Sequence, residues 1–231
     1  MLNDVQSLDR GYSEVSTAAE RNKVLRNTYW LLALSLVPTV LGAWLGVAMG
    51  LAQSMSGWVG LVVFLAGAFG FIYAIEKTKN SAAGVPVLLG FTFFMGLMLS
   101  RMIAMVLGFK NGSELIMTAF GGTAGVFFVM ASLSSVNKRD LSGMGKWLFV
   151  GAMALLVGGV INVFVGSTAG MMALSVASIG IFSAYMLYDL KRIVDGGETN
   201  YISATLALYL DILNVFQGLL ALLGIFGGER D

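Results

Sequence analysis

The sequence predicts an all-α, polytopic membrane protein. The chain of 231 residues is 57% hydrophobic and only 12% charged, whereas a soluble domain averages about 25% charged residues, and its mean hydropathy is +0.83. Apolar stretches long enough to cross a bilayer follow one another with short connections from residue 28 onward. Together these two observations place most of the chain in the lipid bilayer.

Two missing residue types narrow the possible chemistry. The chain contains no cysteine and no histidine, which excludes disulfides, the usual zinc sites, a cysteine nucleophile and a histidine general base. Its formal net charge of +1 gives no reason to expect a nucleic acid as partner. We therefore predict a non-enzymatic membrane protein without a resident cofactor, with the lipid bilayer as its surroundings.

Seven transmembrane helices are predicted within one compact domain, residues 28–231. Their approximate ranges are 28–50, 57–75, 83–107, 114–136, 146–166, 171–194 and 203–226. The preceding residues 1–27 form a polar tail of mixed charge, and no basic region leads directly into the apolar core of a secretory signal. The composition of this tail favours disorder, with a helix near residues 14–27 as the alternative.

The distribution of lysine and arginine predicts the orientation of the chain. If the N-terminus is cytoplasmic, only three of the 14 basic residues fall on the opposite side, namely Arg101, Lys110 and Arg230. Cytoplasmic loops carry the excess of basic residues in membrane proteins. We therefore expect an odd number of spans, with the N-terminus in the cytoplasm and the C-terminus outside.

Small residues are frequent in the predicted helices and indicate close helix packing. Gly42, Gly46 and Gly50 form a GxxxGxxxG pattern in the first span, a spacing that lets two helix backbones approach each other. The same role is expected for the glycines of the fourth and fifth spans, which are Gly121, Gly122, Gly125, Gly158 and Gly159.

The last two spans each carry one carboxylate, Asp189 and Asp211. An ionisable residue inside an apolar span is costly and is by default a functional-site hypothesis. If Gly196 ends the sixth helix and the seventh begins at Asn200 or Ser203, the two aspartates lie about 9 Å and 12 to 16 Å from the helix ends. At such similar depths they can meet, and two carboxyl groups in contact cannot both ionise cheaply in a low dielectric. The pair is therefore a candidate proton sensor and gate.

The alternative is that Asp189 and Asp211 are two unrelated helix-end acids. Each would then be solvated or paired with Lys191 or Arg192, which lie in the last turns of the sixth helix and complement its dipole. The sequence leaves both interpretations open. Two carboxylates and Asn214 supply too few oxygen ligands for a tight calcium site, so any metal contact of the pair would be weak and transient.

Other polar residues of the predicted spans could lie beside this pair and extend it into a polar stripe. Asn214 follows Asp211 by one helical turn, and Gln217 continues the same face. Asn162 of the fifth span is a candidate to join them. Such a polar stripe points into the bundle, where it either lines a path for ions or water or hydrogen-bonds neighbouring helices.

Arg101 interrupts the third apolar stretch. One interpretation places it inside the span, facing a water-filled cavity or a partner such as Glu114. The interpretation that we favour is an arginine near the outer end of the helix, with its guanidinium extended to the membrane surface.

Three segments resemble the Bax-inhibitor-like transmembrane family: AFGGTAGVFF at 119–128, YDLKRIVDGGETNYI at 188–202, and LALYLDILNVFQGLLALLG at 206–224. The GGETNYI run at 196–202 and RNTYWLLALSL at 26–36 are most similar to the bacterial YccA branch of that family. The resemblance covers the whole chain except its first two dozen residues. Its most specific motif is the LYLDILN run around the second aspartate.

This resemblance implies a seven-helix bundle in the bacterial inner membrane, with a central last helix enclosed by the other six. It also implies a pH-sensitive calcium leak governed by a pair of aspartates, whose positions here are Asp189 and Asp211, with calcium as the permeant ion. For the YccA branch it implies a modulator of a membrane-bound AAA quality-control protease, engaged through the cytoplasmic tail, residues 1–27. The candidate partner-binding residues of the tail are Arg21, Lys23 and Arg26.

Intramembrane proteolysis is a third possibility, and the motifs disfavour it. Tyr188 and Asp189 match the YD motif of intramembrane aspartyl proteases. Asp211, however, is preceded by LYL instead of GxG, and no PAL motif follows it. Glycines at those positions would let a substrate backbone approach the carboxylates, so their replacement by bulky residues is a physical objection.

Overall fold

The described part of the chain is a bundle of seven α-helices. The computed structural model describes the backbone of residues 2–51, 57–137 and 139–229 and, within these ranges, the side chains of 18–51, 58–137 and 139–229. The helices are α1 (Leu2–Ala48), α2 (Gly57–Thr78), α3 (Gly84–Leu107), α4 (Gly112–Val136), α5 (Met144–Val165), α6 (Thr168–Val194) and α7 (Tyr201–Gly227). Each is long and apolar enough to cross a membrane. The predicted all-α fold with seven spans is confirmed.

The largest difference from the predicted boundaries is at the start of the chain. Helix α1 continues without a break from Leu2 to Ala48, so the described part of the tail is helical and not the disordered segment that its composition favoured. The continuous apolar stretch of α1 begins only near residue 28, so the helix extends well before the span. Val24 and Leu25 pack against the buried core, and that packing helps to explain why a polar segment extends the first span as a helix.

Helix α7 is the central element of the bundle. It contacts α1, α2, α3, α4 and α6, while α5 packs on α6 at the outside. Its residues Leu208, Tyr209 and Val215 are almost completely buried. Phe91 of α3 meets the Tyr209 ring edge to face, with 6.1 Å between ring centroids. The buried core is therefore built around the last helix, as the resemblance implied, but five of the other six helices pack on it and not all six.

The closest helix packing joins α1 to α3. A Cβ atom on Gly42 would collide with the carbonyl oxygen of Phe93, and one on Gly96 would collide with the carbonyl oxygen of Thr39. A Cβ on Gly46 would lie 2.5 Å from the side chain of Ser100. The predicted role of Gly42 and Gly46 in close packing is thus confirmed, because the backbones touch where side chains are missing.

The remaining glycines of the predicted packing set behave differently. Gly50 has a φ of 65° just after the end of α1, a conformation that suits glycine at a helix C-terminus. Cβ atoms on Gly122 and Gly158 would approach leucine side chains. The expectation is wrong for three others, whose Cβ positions have no neighbouring atom within 4 Å among the described residues: Gly121, Gly125 and Gly159.

Candidate functional site

The connection between α6 and α7 fixes the geometry of the candidate site. Helix α6 ends at Val194 and is capped by Asp195, and Gly196 follows with a φ of 80°, the left-handed conformation common at helix ends. Asn200 caps α7 by accepting hydrogen bonds from the backbone N–H groups of Ile202 and Ser203, at 2.9 and 3.0 Å. Its amide nitrogen also donates to Asn80 Oδ1, at 2.8 Å. The connection is therefore held at both helix ends and tied to the turn that follows α2.

The structure brings Asp189 of α6 and Asp211 of α7 together. Their carboxyl groups lie within hydrogen-bonding distance of each other. Asp211 is only 4% exposed, and the side chain of Asp189 is 12% exposed. The depths inferred from the helix ends led to the same arrangement.

This contact has a chemical consequence. The Oδ2 atom of Asp211 is buried and has no hydrogen-bond partner among the described residues. A carboxylate has only acceptor atoms, so two ionised carboxylates cannot hydrogen-bond to each other. If one proton is shared between Asp189 and Asp211, one carboxyl group can donate a hydrogen bond to the other. The same proton removes one of two like charges from a low-dielectric site. The arrangement is therefore suited to bind and release a proton.

Arg192 links this pair to the α6–α7 connection. Its Nη1 atom lies 3.8 Å from Asp189 Oδ1, and its Nη2 atom lies 3.7 Å from Glu198 Oε2. The guanidinium also lies over the Tyr188 ring, 5.7 Å from its centroid. Both ion pairs are loose, and the arginine side chain is 43% exposed. Arg192 can therefore move between the two carboxylates at low energetic cost.

Lys191 does not contact the aspartate pair. Its Nζ atom is bound to Asp195 Oδ1 at 2.7 Å, one turn further along the chain. Of the two basic residues that were possible partners of the aspartates, the structure places only Arg192 near Asp189.

The predicted polar stripe is only partly assembled. Asn214 donates from its amide nitrogen to the carbonyl oxygen of Leu210 in its own helix, at 2.8 Å, and Gln217 is half-buried. Asn162 lies in the last turn of α5, where its side chain faces Gly170 at the start of α6. Gly170 is 19 residues before Asp189 on α6, which is about 28 Å along a helix. Asn162 is therefore remote from the aspartate pair.

Arg101 is exposed on α3, six residues before the helix ends at Leu107. Within the described part of the chain it forms no ion pair with Glu114, which is also exposed. The favoured interpretation, an arginine that reaches the membrane surface near the outer end of its span, stays a prediction.

The basic residues of the tail lie in different surroundings. Arg21 lies against the α6–α7 connection, because a Cβ on Gly196 would be 2.8 Å from Arg21 Cδ. Lys23 and Arg26 are exposed, and Lys23 together with Arg21 lines a cavity between α1 and the connection. Neither this cavity nor the ion pair of Glu198 with Arg192 was predicted from the sequence. The charged GGE segment beside a helix end was a signal for that ion pair.

A metal site is not built around the pair in the described structure. No group of three or more acidic residues lies close enough together there to hold a metal ion. Two carboxylates offer few of the six to eight oxygen ligands that calcium takes. The weak, transient metal contact expected at the pair stays a prediction.

Comparison with known proteins identifies relatives along nearly the full chain. The model of the family described as inhibitor of apoptosis-promoting Bax1 matches residues 21–229. An uncharacterized membrane protein of Vibrio cholerae is 40% identical over 217 residues, covering 94% of this chain and 96% of the relative. The Escherichia coli protein named modulator of FtsH protease YccA is 36% identical over 203 residues, covering 88% of this chain and 90% of the relative. The resemblance in the helix motifs is thus confirmed, and the chain belongs to the Bax inhibitor-1 family.

Proposed function

We propose that this protein modulates a membrane-bound protease of the FtsH type, in the inner membrane of a bacterium and with its N-terminus in the cytoplasm. The observation that carries the proposal is the 36% identity to the Escherichia coli protein named modulator of FtsH protease YccA. A second relative, from Escherichia coli O6:H1 and also 36% identical over 203 residues, is named inner membrane protein YccA. The excess of basic residues on the side of the N-terminus supports the orientation.

The first helix supports a role for the tail in this function. Residues 2–17 precede the apolar stretch of α1, which begins near residue 28, so they are available to a partner outside the bilayer. Arg21 then rests on Gly196 of the α6–α7 connection. A partner bound to the tail would therefore act on a helix that also contacts the α6–α7 connection.

Truncation tests this proposal if the cut spares the packed part of α1. Removing residues 2–17 leaves Val24 and Leu25 in the core, so the bundle should still fold, as a thermal unfolding curve would show. We expect the truncated protein to lose co-purification with the protease and its effect on the rate of substrate degradation. A matched control exchanges residues 2–17 for a helical segment of equal length and shuffled sequence. Unchanged association of the truncated, folded protein would exclude the tail as the docking element.

A second function, a pH-dependent cation leak, is favoured by the contact of Asp189 with Asp211. A shared proton holds α6 against α7 at their predicted cytoplasmic ends. Loss of that proton leaves two adjacent like charges in a low dielectric, which repel each other. Arg192, already 3.8 Å from Asp189, then offers an alternative partner. The helix ends would separate and admit ions from the cytoplasmic side.

Ion flux into proteoliposomes tests the leak. We expect calcium flux that depends on pH in the wild type and loses this dependence in the double variant Asp189→Asn, Asp211→Asn. The matched control is Asp195→Asn, which removes an acid bound to Lys191 outside the pair and should keep the wild-type response. Equal flux for wild type and double variant at every pH would exclude the pair as a gate. The protease proposal needs no permeation and would survive that result.

A further inference from the structure

A cavity of about 510 Å³ lies between α1 and the α6–α7 connection. Ligand sites for small molecules fall in the range of about 300 to 1,000 Å³. The α1 wall is formed by residues at helical spacing on one face of the helix: Glu20, Arg21, Lys23, Val24 and Asn27. The opposite wall belongs to the connection and carries further polar groups, among them Asp195, Glu198, Thr199 and Tyr201.

The charges on the two walls differ in whether they are already paired. On the connection, Asp195 is bound to Lys191 at 2.7 Å and Glu198 lies 3.7 Å from Arg192. On α1, Glu20, Arg21 and Lys23 form no ion pair with any described residue. The charges left for a ligand are therefore two cations and one anion, all on the same helix face.

The position of the cavity indicates what surrounds it. Helix α6 ends at Val194, α7 begins at Tyr201, and the continuous apolar stretch of α1 begins near residue 28, directly after the cavity-lining turns. The cavity thus lies where three spans reach the membrane surface, at the level of the lipid headgroups. Its neutral lining groups include an amide from Asn27 and hydroxyls from Thr199 and Tyr201, which can hydrogen-bond to an uncharged ester or glycerol part of a ligand.

We propose that this cavity binds a zwitterionic phosphate, namely a phosphodiester joined to a primary ammonium group. Arg21 and Lys23 bind the phosphate oxygens, since guanidinium and ammonium groups form charge-assisted hydrogen bonds with phosphate. Glu20 accepts hydrogen bonds from the ligand ammonium. A phospholipid with an ethanolamine headgroup carries this chemistry at the right depth, and a soluble glycerophosphoethanolamine carries the same groups without acyl chains.

Native mass spectrometry of the purified full-length protein tests the site directly, with no protease or ion flux in the assay. The probes are phosphatidylethanolamine, phosphatidylglycerol as an anionic lipid without ammonium, and glycerophosphoethanolamine as the soluble headgroup. We expect phosphatidylethanolamine to bind most tightly. The double variant Arg21→Gln, Lys23→Gln should bind it about tenfold more weakly, the effect of losing one or two charge-assisted hydrogen bonds.

Two further variants sharpen the result. The control Lys77→Gln, Arg139→Gln also removes two exposed cations, but neither lines the cavity, so its affinity should equal that of the wild type. Glu20→Gln should lower the preference for phosphatidylethanolamine over phosphatidylglycerol. These are changes of solvent-accessible side chains, and equal unfolding temperatures would show that every variant is folded.

Each outcome decides one part of the proposal. Binding of both the lipid and the soluble headgroup, weakened by Arg21→Gln, Lys23→Gln alone, supports a headgroup site independent of acyl chains. Binding of the lipid only, with the same dependence on the variants, supports the membrane as the source. Equal affinity of wild type and double variant overturns the site. Equal or tighter binding of phosphatidylglycerol overturns the zwitterionic assignment.

Discussion

The phenol oxygen of Tyr209 lies 2.8 Å from the hydroxyl oxygen of Thr39, and this hydrogen bond joins the central helix α7 to α1 inside the core. Thr39 also donates to the carbonyl oxygen of Ser35, at 2.8 Å. Because one hydroxyl proton cannot serve both bonds, the phenol is the donor to Thr39 when Thr39 donates to Ser35. The interhelical bond therefore depends on the Tyr209 hydroxyl.

Tyr209→Phe should lower the free energy of unfolding by about 0.5 to 1.5 kcal/mol, the usual net worth of one hydrogen bond. The ring and its contact with Phe91 remain, so the loss is that of the bond to Thr39 and of the longer contact, 3.4 Å, with the Thr92 carbonyl oxygen. Thermal unfolding in detergent measures the effect. Tyr73→Phe, at a residue that is 66% exposed, is the control and should leave the unfolding temperature unchanged. A wild-type unfolding temperature for Tyr209→Phe would show that this bond contributes nothing.

Gly96→Ala should destabilise the protein because the new methyl group would meet the backbone of α1. Its Cβ would collide with the carbonyl oxygen of Thr39 and lie 3.0 Å from the backbone nitrogen of Ala43. Backbone atoms of a packed helix cannot rotate away, so α1 and α3 must separate, at a cost of about 1 to 3 kcal/mol. A fall in unfolding temperature measures this cost.

The control for that substitution is Gly121→Ala on α4, where no described atom lies within 4 Å of the new Cβ. Alanine is a better helix former than glycine, so the unfolding temperature should stay constant or rise slightly. If both variants lost the same stability, the loss in Gly96→Ala could not be assigned to the contact of α1 with α3.

The seven spans and the meeting of the aspartates could be predicted because both depend on local rules. Bilayer thickness fixes the length of each apolar stretch. Glycine and asparagine mark the helix ends at Gly196 and Asn200. A short connection between antiparallel helices then places Asp189 and Asp211 at similar depth without any knowledge of the remaining packing.

Features that depend on helix rotation could not be predicted in this way. The GxxxG spacing gives the distance between glycines along one helix, but it does not say whether another helix covers that face, and Gly121 and Gly125 are exposed. The contact of Arg21 with Gly196 joins residues far apart in the sequence. It requires α1 to continue as a helix past the bilayer, which the polar composition of the tail disfavoured.

Gly196→Ala should cost about 1 to 2 kcal/mol of stability, because a side chain disfavours the left-handed conformation and Gly196 has a φ of 80°. The new Cβ would also lie 2.8 Å from Arg21 Cδ and displace that side chain. Gly197→Ala is the neighbouring control, since its Cβ would make an ordinary contact of 3.5 Å with the Arg192 carbonyl oxygen. Unfolding temperatures of the two variants give the comparison. Equal losses would argue against a special role for the conformation of Gly196.

Asp140, in the connection between α4 and α5, should add a small pH dependence to stability. Hydrogen bonds from the backbone N–H and the hydroxyl of Ser142, at 2.8 and 3.0 Å, lower the pKa of its carboxyl from the ordinary value of 3.8. A lowered pKa in the folded state means that the stabilisation is present above the unfolded pKa and is lost as the pH falls through the folded pKa. Ser142→Ala should remove the hydroxyl bond and raise the pKa of Asp140 toward 3.8. A titration of the carboxyl ¹³C resonances measures this shift, and an unchanged Asp140 titration would show that the hydroxyl bond is absent in solution.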